Sequence, residues 1–529
     1  MKYPALSTFS DMKRDIFIFF SVAAIFYFLT AWFGTTYFHP DQQFQTLEWA
    51  DFKRSGTGEE ALPWEYKRAI RPWIQPYFYV LILDVTDVLG VTNPFMQDRI
   101  IRLLTAALGM GSLILLAVTI GWWLPLKGQR RLLVGVLSLT ALFPNVMTRT
   151  SSEAMASICM MLAFVALFLL RRNPQAVTQG PKMPLPFTGK MQFSYPGLFL
   201  SGVAVALAFQ FRYQAGPAFV VLFLWMLFAA KAPVRQLLVF VLAILLVTVT
   251  ATLVDSIGYG RFVLAPWNNV RANIFDGIAA TFGVQPWYFY FDILSSNPIG
   301  ASLVVAMVLY LLRFPTNLLS LFVGFFFIQH SLIAHKEARF MFPLIPFVVA
   351  MIPLLFPRAW FGPTGTGVPF FNQNVFAKLV GFTFLIINTV GLYQVSFPSL
   401  KPEIATQKFV IDTLPADFEY TSLGASIYRS FPDAFGDYPL RMEFYKPAFV
   451  THNIVASVRD LAAVSPDKPF TFFMNSNDLP ADTTWDEVRK NCAVIQQSIT
   501  PTERLANPKA YDHAREKRSL YRCLFRSAD

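Results

Sequence analysis

Apolar stretches long enough to cross a lipid bilayer recur along this chain, and they constrain its fold more than any other feature. A hydrocarbon core accommodates about 20 consecutive apolar residues in a helix, with a range of about 17–25. Such stretches fall at 16–33, 98–122, 131–147, 153–170, 196–211, 216–230, 235–254, 299–312, 316–334, 340–357 and 376–397. They predict about 11 transmembrane helices, the shorter ones tilted, broken or extended at their ends. The stretch 73–90 is also apolar, but it carries Asp84 and Asp87, so an amphipathic helix lying on a surface fits it better. The fold class is therefore an all-α polytopic membrane protein.

Composition supports this. Of 529 residues, 54% are hydrophobic and 15% charged, against about 25% charged in soluble domains. The net charge of +11 fits anionic lipid or phosphate partners, because the basic residues flank the apolar runs. No aromatic-and-basic platform or zinc pattern points to nucleic acid. Cys159, Cys492 and Cys523 form no C-x-x-C pair, which argues against zinc and thioredoxin-like sites. Cys159 lies in an apolar run and is expected to pack in the core. Cys492 and Cys523 share a polar tail and would be free to pair if that tail faces an oxidising compartment. With five histidines, a histidine-rich metal site is not expected.

Lys13 and Arg14 precede the first apolar run, and no small-residue cleavage site follows it, so an uncleaved first helix is expected. With the N-terminus in the cytoplasm, alternate loops carry Lys127, Arg130 and Arg131; Arg171, Arg172 and Lys182; Lys231 and Arg235; Arg313; and Arg358. These all fall on the cytoplasmic side, as the bias of basic residues requires. The loop 34–97 then lies outside, although it carries Lys53, Arg54, Lys67, Arg68 and Arg71. Two readings stand: long loops translocate whatever their charge, or these bases meet an anionic partner such as a lipid phosphate. Residues 173–195 read as a linker rich in Pro, Gly and Lys.

Beyond about residue 400 the apolar runs shorten. Phe470–Met474 and Cys492–Gln497 read as strands and Trp485–Lys490 as the start of a helix. The expected organisation is a membrane domain over 1–399, with 34–97 as a catalytic outer loop, and a small α/β extramembrane domain over 400–529.

Two polar constellations carry chemistry. His39-Pro40-Asp41-Gln42-Gln43-Phe44-Gln45, with Glu48 beyond it, follows the first helix directly. A carboxylate at such a boundary is partly desolvated, which raises its pKa and suits a general base for a sugar hydroxyl. Asp41 and Gln45 are one helical turn apart and would share a face. The competing reading of Asp41 is a helix N-cap after Pro40. His335-Lys336-Glu337-Ala338-Arg339-Phe340 lies between two apolar runs on the same outer side. Lys336 and Arg339 are three apart and would face one way to hold a phosphate, with Arg as a fork and Lys as a point charge. The alternative is a basic loop snorkelling at the lipid surface. Polar interruptions at Arg149–Glu153 and Arg212–Gln214, and the loop 255–298 with Trp267, Asn268, Asn269, Trp287 and Tyr288, lie on the same side. The first two are equally readable as turns, and the third as sugar-binding or as an interfacial aromatic belt.

These segments resemble glycosyltransferase family 22, the Alg/PIG-type mannosyltransferases of lipid-linked glycan and GPI-anchor assembly. His39–Gln45 with Glu48 is similar to the family's P-D-E-x-[FWY]-Q segment, and His335–Phe340 to its H-K-E-x-R-F segment. Leu62-Pro63-Trp64-Glu65-Tyr66 and Arg71-Pro72-Trp73 resemble a T-W-E-W…R-S-Y run of the GPI mannosyltransferases, especially the one adding the third mannose. Arg212-Tyr213 matches a family R-Y/F position. The resemblance implies a GT-C fold and a polyprenyl- or dolichyl-phosphate mannose donor. It implies a lipid-linked glycan or glycolipid acceptor and inversion at the anomeric carbon. Asp41 becomes the base; His335, Lys336, Arg339, Arg212, Gln45, Glu48, Arg71, Trp64 and Glu65 become donor-phosphate or substrate contacts. No metal or cofactor is implied, since the lipid-phosphate sugar is a substrate. The family's second acidic residue is Gln42 here, and a glutamate common before Arg339 is Ala338. Transfer of an arabinose- or glucose-type sugar, and transport of a lipid-linked glycan, are the competing functions. The active site is expected on the periplasmic or lumenal side. With no N-x-[ST] sequon, a bacterial plasma membrane is favoured over the endoplasmic reticulum.

Overall fold

A computed structural model describes residues 4–34, 39, 41–56, 59, 62–170, 191–356, 358–361, 365–367, 375–396, 408, 411–412, 419–423, 429–431, 440–441, 444–445, 451–455, 470–475, 492–497 and 518–523. The chain divides into two compact units. One comprises Met1–Phe33, Arg68–Tyr77 and Ile101–Phe397; the other comprises Gly34–Lys67, Phe78–Ile100 and Pro398–Asp529.

Helices cover most of the described residues of each of the 11 apolar stretches, with a break between Leu139 and Leu142 in the third. In chain order the helices are α1 (Pro4–Phe33), α2 (Glu48–Ser55), α3 (Trp64–Lys67), α4 (Ile74–Val88), α5 (Pro94–Gly121) and α6 (Lys127–Leu139). Then come α7 (Leu142–Met147), α8 (Ser152–Leu169), α9 (Tyr195–Phe211), α10 (Gly216–Phe228), α11 (Val234–Tyr259) and α12 (Ala265–Val270). The last are α13 (Ile278–Thr281), α14 (Phe289–Ser295), α15 (Pro298–Arg313), α16 (Leu318–Leu332), α17 (Ile345–Leu355) and α18 (Val375–Ser396). Five described helices are long and apolar enough to cross a membrane, and five more are apolar but shorter.

The first unit is the helical bundle, and its helix ends follow the residues present. Ser151 caps α8 by accepting from the Ala154 N–H, and Ser194 caps α9 ahead of Pro196. Asn297 and Asn317 cap α15 and α16 in the same way. Each cap satisfies a backbone donor that the helix leaves orphaned. Gly260, with φ of 66°, closes α11 in the left-handed conformation a side chain disfavours.

Burial separates centre from periphery. α8 is buried all round, as expected of a helix at the heart of a bundle. α11 exposes Leu238, Leu242, Leu245, Leu246, Val249, Leu253 and Ile257. A stripe of large apolar side chains at three- and four-residue spacing is unfavourable in water and suits lipid. α9 approaches α11 at Gly202, where an added Cβ would meet the Phe240 carbonyl at 2.5 Å. A small residue at a helix crossing is the usual means of close packing in membranes.

The second unit begins with a π-helical turn, Gln43–Leu47, running into α2. α4 is the helix expected over 73–90. Both of its acidic residues engage Arg54, whose Nε donates to Asp84 at 2.9 Å and whose Nη2 donates to Asp87. Seven described strands follow: β1 (Glu419–Leu423), β2 (Arg429–Phe431), β3 (Leu440–Arg441), β4 (Thr451–Val455), β5 (Phe470–Asn475), β6 (Cys492–Gln497) and β7 (Arg518–Cys523). Five form a mixed sheet in the order β4-β1-β5-β7-β6, and β2 pairs with β3. The two strands expected from sequence are β5 and β6. The antiparallel register of β6 and β7 sets the Cys492 backbone opposite that of Cys523. The helix expected at Trp485–Lys490 lies outside the described residues, as do residues 173–190 of the expected linker.

Candidate active site

The expected site residues divide between the units. Asp41, Gln45, Glu48, Trp64 and Glu65 belong to the second; Arg71, Arg212, His335, Lys336 and Arg339 belong to the first.

In the second unit, Asp41 opens the helical turn after the first membrane helix, with its side chain 23% exposed. His39 Nδ1 lies 3.3 Å from the Asp41 N–H and 3.4 Å from its Oδ1. A neutral imidazole accepts the first contact, whereas an imidazolium makes the second an ion pair. Gln42, where the family pattern has a second acid, is 2% exposed. Of the two positions, only Asp41 leaves a polar group where a substrate hydroxyl can reach it.

Gln45 lies in the π turn Gln43–Leu47, which follows Asp41. Gln45 is buried and donates through Nε2 to Glu65 Oε1 at 2.8 Å. Glu48 is also buried, accepting from Gln43 Nε2 at 2.6 Å and from the Phe444 N–H at 3.0 Å. Gln45, Glu48 and Glu65 thus knit the region around Asp41 together, and Trp64 lies half-buried on α3 beside Glu65.

In the first unit, residues distant in sequence meet around Arg339. Its Nε and Nη2 form a fork on Glu337 at 2.6 and 3.0 Å. Its Nη1 lies 3.2 Å from Glu153 Oε1, and Arg212 Nη1 reaches the same oxygen, also at 3.2 Å. Glu153 is 1% exposed. The Arg212 guanidinium stacks over the Phe340 ring at 4.4 Å. Burial pushes the Arg212 pKa down and Glu153 pulls it back up, while Arg339 and Arg71 push it further down. An arginine keeps its proton under any of these influences, so the outcome is a fixed buried charge. Arg212 Nε is buried with no hydrogen-bond partner among the described residues.

The flanking residues are fastened to the turn before α14. Lys336 is buried, and its Nζ donates to the Gln285 carbonyl at 2.7 Å. His335 places Nδ1 3.0 Å from the Gly283 carbonyl and Nε2 3.0 Å from Glu337 Oε1. Both ring nitrogens face acceptors, so both need protons. The bond to Glu337 raises the His335 pKa, against the opposing pull of burial. Arg71, Arg212, Lys336, Arg339 and a protonated His335 stand against Glu153 and Glu337. The result is an excess of positive charge in a region shielded from water, which favours an anion with several acceptor oxygens, such as a phosphate.

Sequence reasoning placed Glu153 only among polar interruptions and gave Glu337 no role. The signal available for Glu153 was an ionisable residue at the start of an apolar run. In the Trp267–Asn269 segment, Asn268 and Asn269 donate to the carbonyls of Ala69 and Ile70, while Trp267 is exposed. Arg149 turns to Asn145, with Nε 3.2 Å from its side-chain oxygen.

A helical bundle with apolar outer faces and a buried, net-positive polar cluster is the architecture of a membrane protein. The chain matches the Alg9-like mannosyltransferase family over residues 17–419 and belongs to that family. It is 25% identical over 343 residues to GPI mannosyltransferase 3 of Candida albicans, covering 64% of this chain and 63% of that protein. It is 25% identical over 334 residues to GPI alpha-1,2-mannosyltransferase 3 of Danio rerio, covering 61% and 57%. The chain thus aligns with about three fifths of the length of these relatives. Its fold is similar to that of ArnT from Cupriavidus metallidurans bound to undecaprenyl phosphate, with a TM-score of 0.54, 13% identity, and coverage of 96% of this chain and 97% of that one. That likeness shows a GT-C-like fold.

Proposed function

We propose that the protein transfers a mannosyl residue from polyprenyl- or dolichyl-phosphate mannose to a lipid-linked glycan or glycolipid, inverting the anomeric centre. The observation that carries this reading is the buried pair Arg212 and Arg339 around Glu153 and Glu337, with Lys336 buried three residues before Arg339, in a chain of a mannosyltransferase family. Asp41 takes the proton of the acceptor hydroxyl, whose oxygen attacks the anomeric carbon. The bond from that carbon to the phosphate oxygen breaks, and lipid phosphate leaves with the electron pair. The cluster stabilises the charge that develops there. No nucleotide sugar or metal enters the scheme. In this reading about 11 helices span the membrane, the site faces the periplasm or lumen, and residues 400–529 form an α/β domain on that side.

The test is incubation of the purified full chain with labelled polyprenyl-phosphate mannose and candidate glycolipids in detergent. Mannose appearing in the glycolipid is expected. Transfer only from an arabinose- or glucose-type donor would overturn the choice of sugar, and no transfer from any lipid-phosphate sugar would overturn the reading.

His335 adds a pH dependence of definite sign. Its folded pKa stands above the unfolded value of about 6.5. Its stabilising charge is therefore fully present below that value and lost as pH rises through the raised one. Affinity for polyprenyl phosphate is expected to weaken over that interval, and His335→Gln is expected to flatten this part of the profile. The lipid phosphate titrates in both proteins, so the difference between their binding curves is the readout; superimposable curves would remove His335 from the site.

A further inference from the structure

The segment Ala69–Trp73 has no regular structure before α4 begins, yet two neighbouring helices, α11 and α12, grip its backbone repeatedly. Asp255 Oδ1 accepts the Trp73 N–H at 2.7 Å. Tyr259 Oη donates to the Arg71 carbonyl at 2.8 Å. Asn268 and Asn269 donate through Nδ2 to the carbonyls of Ala69 and Ile70 at 3.2 and 3.3 Å. Asp255 and Tyr259 are one turn apart at the end of α11, and the two asparagines lie on α12. Between them Gly258 lies against the Trp73 indole, where an added Cβ would come within 2.2 Å of the ring.

Two features indicate that this grip does more than pack the fold. Ala69 is held at φ of 49°, a left-handed conformation that a residue with a Cβ adopts only when its surroundings impose it. Arg71, at the centre of the gripped segment, is carried towards Arg212, because Tyr213, the next residue after Arg212, packs with Tyr259 against Ala69, Val263 and Ala265. Like charges repel, so an arginine free to move would turn away from Arg212. A backbone fixed on both sides of Arg71 limits that escape.

Asp255 is the anchor of the arrangement. It is fully buried within an apolar helix, where an ionisable residue is costly and ordinarily serves a function. Its Oδ2 has no hydrogen-bond partner among the described residues, so its structural tie is the bond to Trp73.

We propose that Asp255 is a positioning residue that, through the Trp73 backbone, holds Arg71 beside Arg212 to bind the donor phosphate. This rests on the donor-phosphate reading of the cluster. Asp255 touches no reacting atom, so its loss weakens donor binding rather than the chemical step.

The test measures the affinity of the purified full chain for polyprenyl phosphate, a probe without sugar, beside the KM and kcat of transfer. Asp255→Ala is expected to weaken binding and raise the donor KM about tenfold, the scale of one lost hydrogen bond to a charged group. Its kcat at saturating donor is expected to stay within about threefold of wild type. Asp255→Asn keeps an acceptor for the Trp73 N–H and is expected to restore most of the affinity. In an Arg71→Ala background, Asp255→Ala is expected to add no further loss, because the two act through one contact. A merely structural role would lower kcat in proportion to the folded fraction and act equally in both backgrounds, overturning the proposal. Should Asp255→Ala not fold, Tyr259→Phe removes only the bond to the Arg71 carbonyl; affinity unchanged in that variant overturns the proposal. A wild-type protein that does not bind polyprenyl phosphate overturns the donor reading and this proposal together. Wild-type binding with unaltered Asp255→Ala binding overturns this proposal alone.

Discussion

Asp41→Asn is expected to reduce mannosyl transfer by about 10²–10⁴-fold, the usual contribution of a positioned general base, while leaving affinity for polyprenyl phosphate intact. The amide matches the carboxylate in shape but takes no proton at neutral pH. Asp41 keeps 23% of its side chain exposed, and Gln42 beside it is both buried and an amide, so Gln42 cannot substitute. The bonds among Gln45, Glu48 and Glu65 do not pass through Asp41, so the fold around it is expected to survive. Single-turnover transfer with saturating donor reads the chemical step directly. Transfer at the wild-type rate would remove Asp41 from the role of base.

Glu153→Ala is expected to destabilise the protein by about 3–5 kcal/mol, the scale for removing one partner from a buried ionic network. Arg212 and Arg339 both lie 3.2 Å from the same Glu153 oxygen. Without it two buried guanidinium groups face each other with less compensation. The same loss leaves the cluster more positive. Polyprenyl phosphate is therefore expected to raise the unfolding temperature of the variant more than that of wild type, because ligand binding to the folded state alone adds stability. Thermal unfolding in detergent, with and without the lipid, checks both parts. An unchanged unfolding temperature without lipid would show that Glu153 is not the counter-ion the geometry makes it.

The two variants probe groups of very different legibility. Asp41 stands out in the sequence because a carboxylate follows an apolar run directly. His335, Lys336 and Arg339 stand out because ionisable residues interrupt such a run. Glu153 does the same, yet its ion-pair partners lie in two other segments. Nothing local in the sequence joins Glu153 to Arg212 and Arg339, or Asp255 to Trp73. The π turn over Gln43–Leu47 and the bond from Gln45 to Glu65 had no local signal either.

By itself, the sequence determined the helical bundle, the positions of the apolar helices and two strands of the C-terminal sheet. These follow from burial and periodicity, which act on neighbours within one stretch of chain. Only the tertiary structure decided that Glu153 bridges two arginines, that Glu48 ties to the Phe444 backbone, and that the end of α11 holds the strained segment leading to Arg71. Hydrogen bonds and ion pairs act over about 3 Å in space with no regard to separation along the chain, so their partners emerge only when the helices pack.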